Sequence, residues 1–169
     1  MRIKLLSMHL KNFMCYEEKD FHFHDKTVIS GANGKGKSSI ASAYTWCLFD
    51  CDYEMRSNPV VRREVNGSPV EGDVEVTMVL DIDGREIAVC KVQKRTYSKD
   101  GSSYKDDNKY FINDVPKTKT AFNEYLEIDN VFKMSSNINT FLNQKSDEVR
   151  KFLFQTVKDI PDTSVADKY

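Results

Sequence analysis

Gly31-Ala32-Asn33-Gly34-Lys35-Gly36-Lys37-Ser38 decides the fold, because it satisfies the phosphate-loop pattern G-x-x-x-x-G-K-[ST] at every fixed position. Chemistry explains the spacing. Glycines let the backbone curl until successive N–H groups point into one concavity, and that concavity fits phosphate oxygens. Lys37 is placed to reach the β- and γ-phosphates of a nucleoside triphosphate as a point charge. The Ser38 hydroxyl suits the Mg²⁺ that bridges those phosphates.

The flanks supply what an anion site needs. Thr27-Val28-Ile29-Ser30 is a β-prone run expected to enter the loop as a strand. Behind the loop, Ile40, Tyr44, Cys47 and Leu48 recur at helical spacing, so a helix N-terminus adds its dipole and unpaired N–H groups. That helix is expected to end near Phe49, since Asn58-Pro59 and the polar residues before it prevent a long continuation.

Working outward, residues 2 to 10 alternate as a strand, with Ile3 and Leu5 on one face and Leu6, Met8 and Leu10 on the other. Lys11-Asn12 reads as a turn, and Phe21-His22-Phe23-His24 alternates again. His22 and His24 share a strand face, with no third candidate metal ligand nearby. From Asp73 the alternation is strong: Val74, Val76, Met78, Leu80 and Ile82 share a face, Asp83-Gly84 turns, and Ile87, Val89 and Val92 begin the return strand. Ser98 to Lys109 reads as a solvated loop, because Lys99, Lys105 and Lys109 are set against Asp100, Asp106 and Asp107. Tyr110-Phe111-Ile112 is a short strand and Asn113-Asp114 a turn. Ala121, Phe122, Tyr125 and Leu126 mark one helix face, and a last helix from Ser146 carries Val149, Phe152, Leu153 and Val157 as its core stripe.

The bulk numbers bound the reading. A chain of 169 residues, 30% charged and 40% hydrophobic, is expected to form one globular domain. Its 25 Lys and Arg against 26 Asp and Glu leave a net charge of −1, no global reason to bind nucleic acid. No apolar run approaches membrane-spanning length, and Met1-Arg2-Ile3-Lys4 opens into a strand pattern rather than a signal peptide; a cytoplasmic location is expected. Cys15, Cys47, Cys51 and Cys90 form no C-x-x-C pair and read as buried free thiols.

Three features together resemble a known family: Ile3-x-x-Leu6-x-Met8-x-Leu10-x-Asn12-Phe13-x-x-Tyr16, the loop variant G-x-N-G-x-G-K-S-S, and Ala43-Tyr44-x-Trp46-x-Leu48-Phe49. The chain resembles the N-terminal lobe of an SMC-like ATPase head, of the SbcC-type double-strand-break repair ATPases and their phage-borne relatives. The resemblance runs through the Asp73 to Val92 hairpin, Tyr110 to Pro116 and Phe132-Lys133-Met134, as far as the Asp159-Ile160 region.

It implies an α/β fold, a P-loop NTPase of the ABC-type head, with a mixed or antiparallel sheet packed around the P-loop helix. Residues 1–169 would form one N-lobe: 1–50 strands, loop and helix; 60–116 a β-hairpin region; 117–160 helices and a glutamine-loop region. It implies ATP and Mg²⁺ as cofactors, with Asn33, Gly34, Lys35, Gly36, Lys37, Ser38 and Ser39 around the phosphates. Lys37 would be the catalytic cation and Ser38 the metal ligand, while Lys11, Asn12 and Phe13 would lie near base and ribose. The residue-level reading of that last segment is a polar turn with a core Phe. Partners implied are a C-terminal ATPase lobe after a coiled coil, a second head in a head-to-head homodimer, DNA and a nuclease.

The chain also departs from the family. Ser135 falls where the family places its glutamine, with Asn137 or Gln144 as substitutes. There is no L-S-G-G-type run. Val76-Thr77-Met78-Val79-Leu80-Asp81 resembles an acidic Walker-B strand, but its alternation and the Asp83-Gly84 turn favour an antiparallel hairpin. Those missing parts belong to the family's C-terminal lobe, so ATP binding without turnover is expected of the chain alone. The rival readings are a complete small P-loop kinase or GTPase and a non-hydrolysing, nucleotide-gated binding module.

Overall fold

The computed structural model describes residues 2–142 and 145–156, with 130, 131, 155 and 156 described through their backbone only. Two compact units divide the chain, Met1–Ile128 and Asp129–Tyr169. The first contains β1 (Ile3–Phe13), β2 (Tyr16–His22), α1 (Lys37–Phe49), β3 (Glu64–Val65), β4 (Ser68–Pro69), β5 (Val74–Ile82), β6 (Arg85–Tyr97), β7 (Tyr104–Ile112), β8 (Val115–Lys117) and α2 (Lys119–Tyr125). Six strands form one sheet in the order β2-β1-β5-β6-β7-β8, and β3 and β4 form a separate small hairpin. Every strand pairing among the described residues is antiparallel.

Register explains where the core sits. Residues directly opposite one another stack into rows on one face, because side chains alternate along each strand. One row runs Met8, Met78, Val89 and Ile112; the next runs Leu10, Val76, Lys91 and Tyr110. All but Lys91 and the Tyr110 hydroxyl are apolar. Helix α1 contacts β1 and β5, and its buried residues include Ile40, Ala43, Trp46, Cys47 and Leu48. The Trp46 ring lies 5.6 Å from that of Phe13, which has no exposed surface. Further along the same face the rows turn polar, Gln93 opposite Asn108 and Arg95 opposite Asp106.

The Asp83-Gly84 turn takes left-handed φ values of 50° and 85°, as a tight hairpin between twisted strands requires. Asp81 closes it by accepting the Gly84 N–H at 2.7 Å, so this carboxylate is a turn cap within an antiparallel hairpin.

Four expectations are corrected. Residues 27–30 form no strand; Val28 is 79% exposed, and no described strand pairs with the segment. Lys11 and Asn12 continue β1, whose reversal falls at Met14-Cys15, because Lys11 pairs with Glu18 and Phe13 with Tyr16; Asn12 takes a left-handed φ of 52° within the strand, and its carbonyl accepts Arg63 N–H at 2.9 Å. The polar stretch after Ser98 is strand from Tyr104, since cross-strand charges pair. Arg95 forks onto Asp106, Nε to Oδ1 at 2.7 Å and Nη2 to Oδ2 at 2.6 Å. Cys15 is exposed, while Cys47 and Cys51 are buried, and none of the four cysteines is in a disulfide among the described residues.

In the second unit, α3 (Asn130–Ser136), α4 (Ile138–Leu142) and α5 (Ser146–Thr156) follow one another. Asp129 caps α3 by accepting the Phe132 N–H at 2.7 Å, and Phe141 meets Phe152 with ring centres 5.9 Å apart. Leu153 of the expected core stripe is 47% exposed, and Val157 lies outside the described residues.

Candidate functional site: the phosphate loop

After β2 ends at His22 the chain runs without strand through residues 23 to 36, and the irregular loop hands over to α1 at Lys37. Gly34 and Gly36 take φ values of 78° and 86°, where a side chain would be strained. Gly36 is required twice over. A Cβ there would come within 2.5 Å of the Cys15 Sγ and 2.7 Å of the Tyr16 hydroxyl, so the β1–β2 turn packs directly under the loop. The Tyr16 hydroxyl donates to the Gly36 carbonyl at 3.2 Å, and the Cys15 thiol donates to Ser39 Oγ at 3.6 Å. Burial, and then the neighbouring Cys15, raise the Tyr16 phenol above its ordinary value.

Lys37 folds back over this loop. Its ammonium donates to the Gly31 and Ala32 carbonyls, both at 2.7 Å. An ammonium has three N–H donors, so one is left for a ligand oxygen while two hold the cation in place. Gly36 is the N-cap of α1 and offers no side-chain cap, which leaves the positive end of the helix to whatever binds there. Asn33, Gly34, Lys35 and Ser38 are exposed on the rim. The loop can therefore surround an anion with backbone N–H groups, one fixed cation and two hydroxyls, Ser38 and Ser39.

Sequence reasoning missed the residues that flank Ser38. Tyr53 comes back over α1, its backbone N–H donating to Ser42 Oγ at 3.2 Å. Its hydroxyl donates to Glu54 at 2.8 Å and also engages Ser38, so a phenol and a carboxylate stand next to the expected metal ligand. The Glu54 bond chiefly raises the Tyr53 phenol above its ordinary value. No motif spacing announces a residue that arrives through a non-helical return loop.

The other sequence-predicted contacts fall differently. Phe13 is fully buried against Trp46, so its ring offers packing and no stacking surface for a base. The Asn12 amide is used by the fold, donating to the Asp73 carbonyl at 3.1 Å, and Lys11 is exposed. Ser135 is exposed and donates to its own helix at Phe132 O, 3.0 Å away; Asn137 Oδ1 accepts the Asn139 N–H at 2.8 Å. Gln144 lies outside the described residues.

The far end of α1 carries a buried polar cluster. Lys91, with no exposed surface, donates to the Trp46 carbonyl at 2.8 Å and pairs with Asp50, the residue that caps α1 in left-handed conformation. Asp50 also accepts from the Tyr110 hydroxyl at 2.8 Å and pairs with Lys119. The Lys91 ammonium stands 3.9 Å from the Trp46 ring centre. Burial pushes the Asp50 carboxyl up, but Lys91 and the bonds from Lys119 and Tyr110 outweigh it and hold the carboxyl below its ordinary value. Burial lowers Lys91 despite Asp50.

A family profile described as the AAA domain matches residues 7–165, nearly the whole chain. Among curated relatives, the chain is 28% identical over 137 residues to uncharacterized protein 050L of Invertebrate iridescent virus 6, covering 76% of this chain and 12% of that protein. It is 46% identical over 48 residues to the DNA double-strand break repair Rad50 ATPase of Methanosarcina mazei, and equally to that of Methanosarcina acetivorans. Those alignments take in 28% of this chain and 4% of each Rad50. The chain thus spans a small fraction of the length of the relatives it matches. Among the described residues no helix is long and apolar enough to cross a membrane. A phosphate loop at the head of α1, an α/β arrangement and a profile spanning nearly every residue converge: this chain belongs to the AAA domain family, as a P-loop NTPase N-lobe.

Proposed function

We propose that the chain is the ATP-binding N-terminal lobe of a Rad50-like ATPase of the SMC and SbcC type, working in DNA double-strand break repair or chromosome handling. The observation that carries this reading is the Lys37 ammonium, held over the loop by two carbonyls with one donor left for a phosphate oxygen. Ser38 is the Mg²⁺ ligand in this reading, and Asn33 to Ser39 wrap the phosphates. Mg²⁺ would offset charge on the β- and γ-phosphates, while the Tyr53 hydroxyl, itself held by Glu54, orients that of Ser38.

Hydrolysis needs more than a cradle. In-line attack requires a group to orient water and, beside Lys37, further groups to stabilise charge on the γ-phosphoryl; among the described residues none is a good candidate for the first task, and the signature run that would add to the second is missing. Turnover therefore falls to a full head, with a C-terminal lobe returning after a coiled coil and a second head closing over the ATP. The exposed run at Val28 and Ile29, which pairs with no strand among the described residues, supports this, since such a β-prone segment is a ready template for strands from another lobe. DNA and a nuclease are partners of the whole assembly in this reading, and the cytoplasm its compartment.

The test is a pair of measurements on residues 1–169. Mg-ATP should raise the melting temperature of the wild type and leave Lys37→Ala unmoved, and steady ATP turnover should be absent until a C-terminal lobe is added. Equal thermal shifts in both proteins would remove the ATP-site reading. Turnover by the isolated chain, abolished by Lys37→Ala, would make it a complete enzyme instead.

A further inference from the structure

Away from the phosphate loop, the polar end of the sheet face forms a cavity of about 270 Å³ lined by Trp46, Arg62, Gln93, Arg95, Tyr104 and Asn108, among others. Arg62 is fixed there by its backbone. It bridges to Phe13 beside β1, and its neighbours Val61 and Arg63 bond to Met14 and Asn12. The residue is buried, with 5% of its surface exposed. Nη1 donates to the Val70 carbonyl at 3.1 Å and to the Gly72 carbonyl, both neutral acceptors. Nε and Nη2 are buried and have no hydrogen-bond partner among the described residues.

Charge accounting around the cavity isolates this cation. Asp106 is forked by Arg95, and Asp50 is answered by Lys91 and Lys119. Arg62 acts on Asp106 only at a distance, a lesser contribution to that carboxyl's lowered value after the Arg95 bond. A guanidinium withdrawn from water without an anion is costly, and its unpaired atoms are the adjacent Nε and Nη2, the edge that matches two oxygens of one carboxylate. A dianion fits less well, because Asp50 and Asp106 already flank the space. The Gln93 and Asn108 amides offer further hydrogen bonds, and the Trp46 and Tyr104 rings supply apolar wall.

We propose that this cavity is a carboxylate-binding site in which the Nε–Nη2 edge of Arg62 grips a monoanionic carboxyl group, either a small free acid or the side chain of a glutamate or aspartate. The site is independent of the phosphate loop, so its test is run on Lys37→Ala, where anion binding at the loop is weakened. Trp46 is the single tryptophan of the chain and lines the cavity, which makes its fluorescence a local reporter. Propionate and a doubly blocked glutamate are titrated at constant ionic strength against chloride. A saturable change with propionate alone assigns the free acid, and a change with both, or with the blocked glutamate alone, assigns a side chain. Arg62→Gln, and Arg62→Lys, which keeps the charge but loses the fork, should each weaken the response about tenfold or more. Should these variants fail to fold, the wild-type site is read by NMR: saturable shifts of the Gln93 and Asn108 side-chain amides support the proposal. No saturable response to either probe below about 50 mM, or an equal response in Arg62→Gln, overturns it.

Discussion

Two lysines stand at opposite ends of α1 and do opposite things. Lys37, at the N-terminal end, is half-buried, bonds to neutral carbonyls alone and keeps a donor in hand. Lys91 meets the C-terminal end from β6, fully buried, against a carboxylate, a carbonyl and a tryptophan ring. The same ammonium group is open to a ligand where its partners are incomplete and a structural pin where they are complete. Completeness of the partner set, rather than residue type, separates function from stability here.

The largest effect expected from breaking this contrast is at Lys91. Lys91→Met removes a fully buried partner from Asp50 and should cost about 3–5 kcal/mol in urea unfolding, with the affinity for Mg-ATP of the remaining folded protein little changed. Lys37→Ala should do the reverse. Its ligand-free stability should stay within about 0.5 kcal/mol of wild type. It should lose the roughly 2.7 kcal/mol that ligand at about 100 times its dissociation constant provides, about 5–10 °C in melting temperature.

Gly36→Ala touches the Lys37 end through the backbone. It forces a left-handed alanine against Cys15 and Tyr16, so about 2 kcal/mol of stability should be lost together with ATP affinity. Equal ATP affinity in this variant would show that the loop re-forms around the methyl group.

Acid sharpens the other end. Because the folded Asp50 carboxyl sits below its ordinary value of 3.8, its contribution to stability is present above that pH and is lost as pH falls through the lower folded value. Urea unfolding from pH 6 down to 2.5 should show a steeper decline for wild type than for Asp50→Asn; parallel curves would mean that the pairing is equally strong in the unfolded chain. The smallest effect belongs to Asp81→Asn, a turn cap that asparagine can still provide. Stability should change by about 0.5 kcal/mol or less, and the Mg²⁺ dependence of nucleotide binding not at all.

The contrast also shows what a sequence exposes. The loop at 31–38 was legible because its spacing is the chemistry, and the Asp73 to Val92 hairpin because alternation and Asp83-Gly84 act locally. Lys91 was hidden. Its burial depends on register with Leu10, Val76 and Tyr110, three residues scattered over 100 positions of chain and brought level only by pairing. Tyr53 and Arg62 were hidden for the same reason, each arriving through a return segment without period. The run at Val28 and Ile29 failed in the other direction: its propensity for strand is plain, but a strand needs a neighbour to bond with, and among the described residues none is supplied.

Asp50 joins α1 to β6, β7 and the start of α2, whereas the opposite end of the helix opens into a glycine loop. Mechanically, that is a rod held at both ends. Its 13 residues span about 20 Å, clamped by Asp50 at one end and seated on the β1–β2 turn under Gly36 at the other. A tilt of about one degree at the clamp displaces the loop by about 0.3 Å, enough to be felt in a hydrogen bond. The position of the Lys37 end is thus set in part at the opposite end of the helix, by the rigidity of a carboxylate that never touches it.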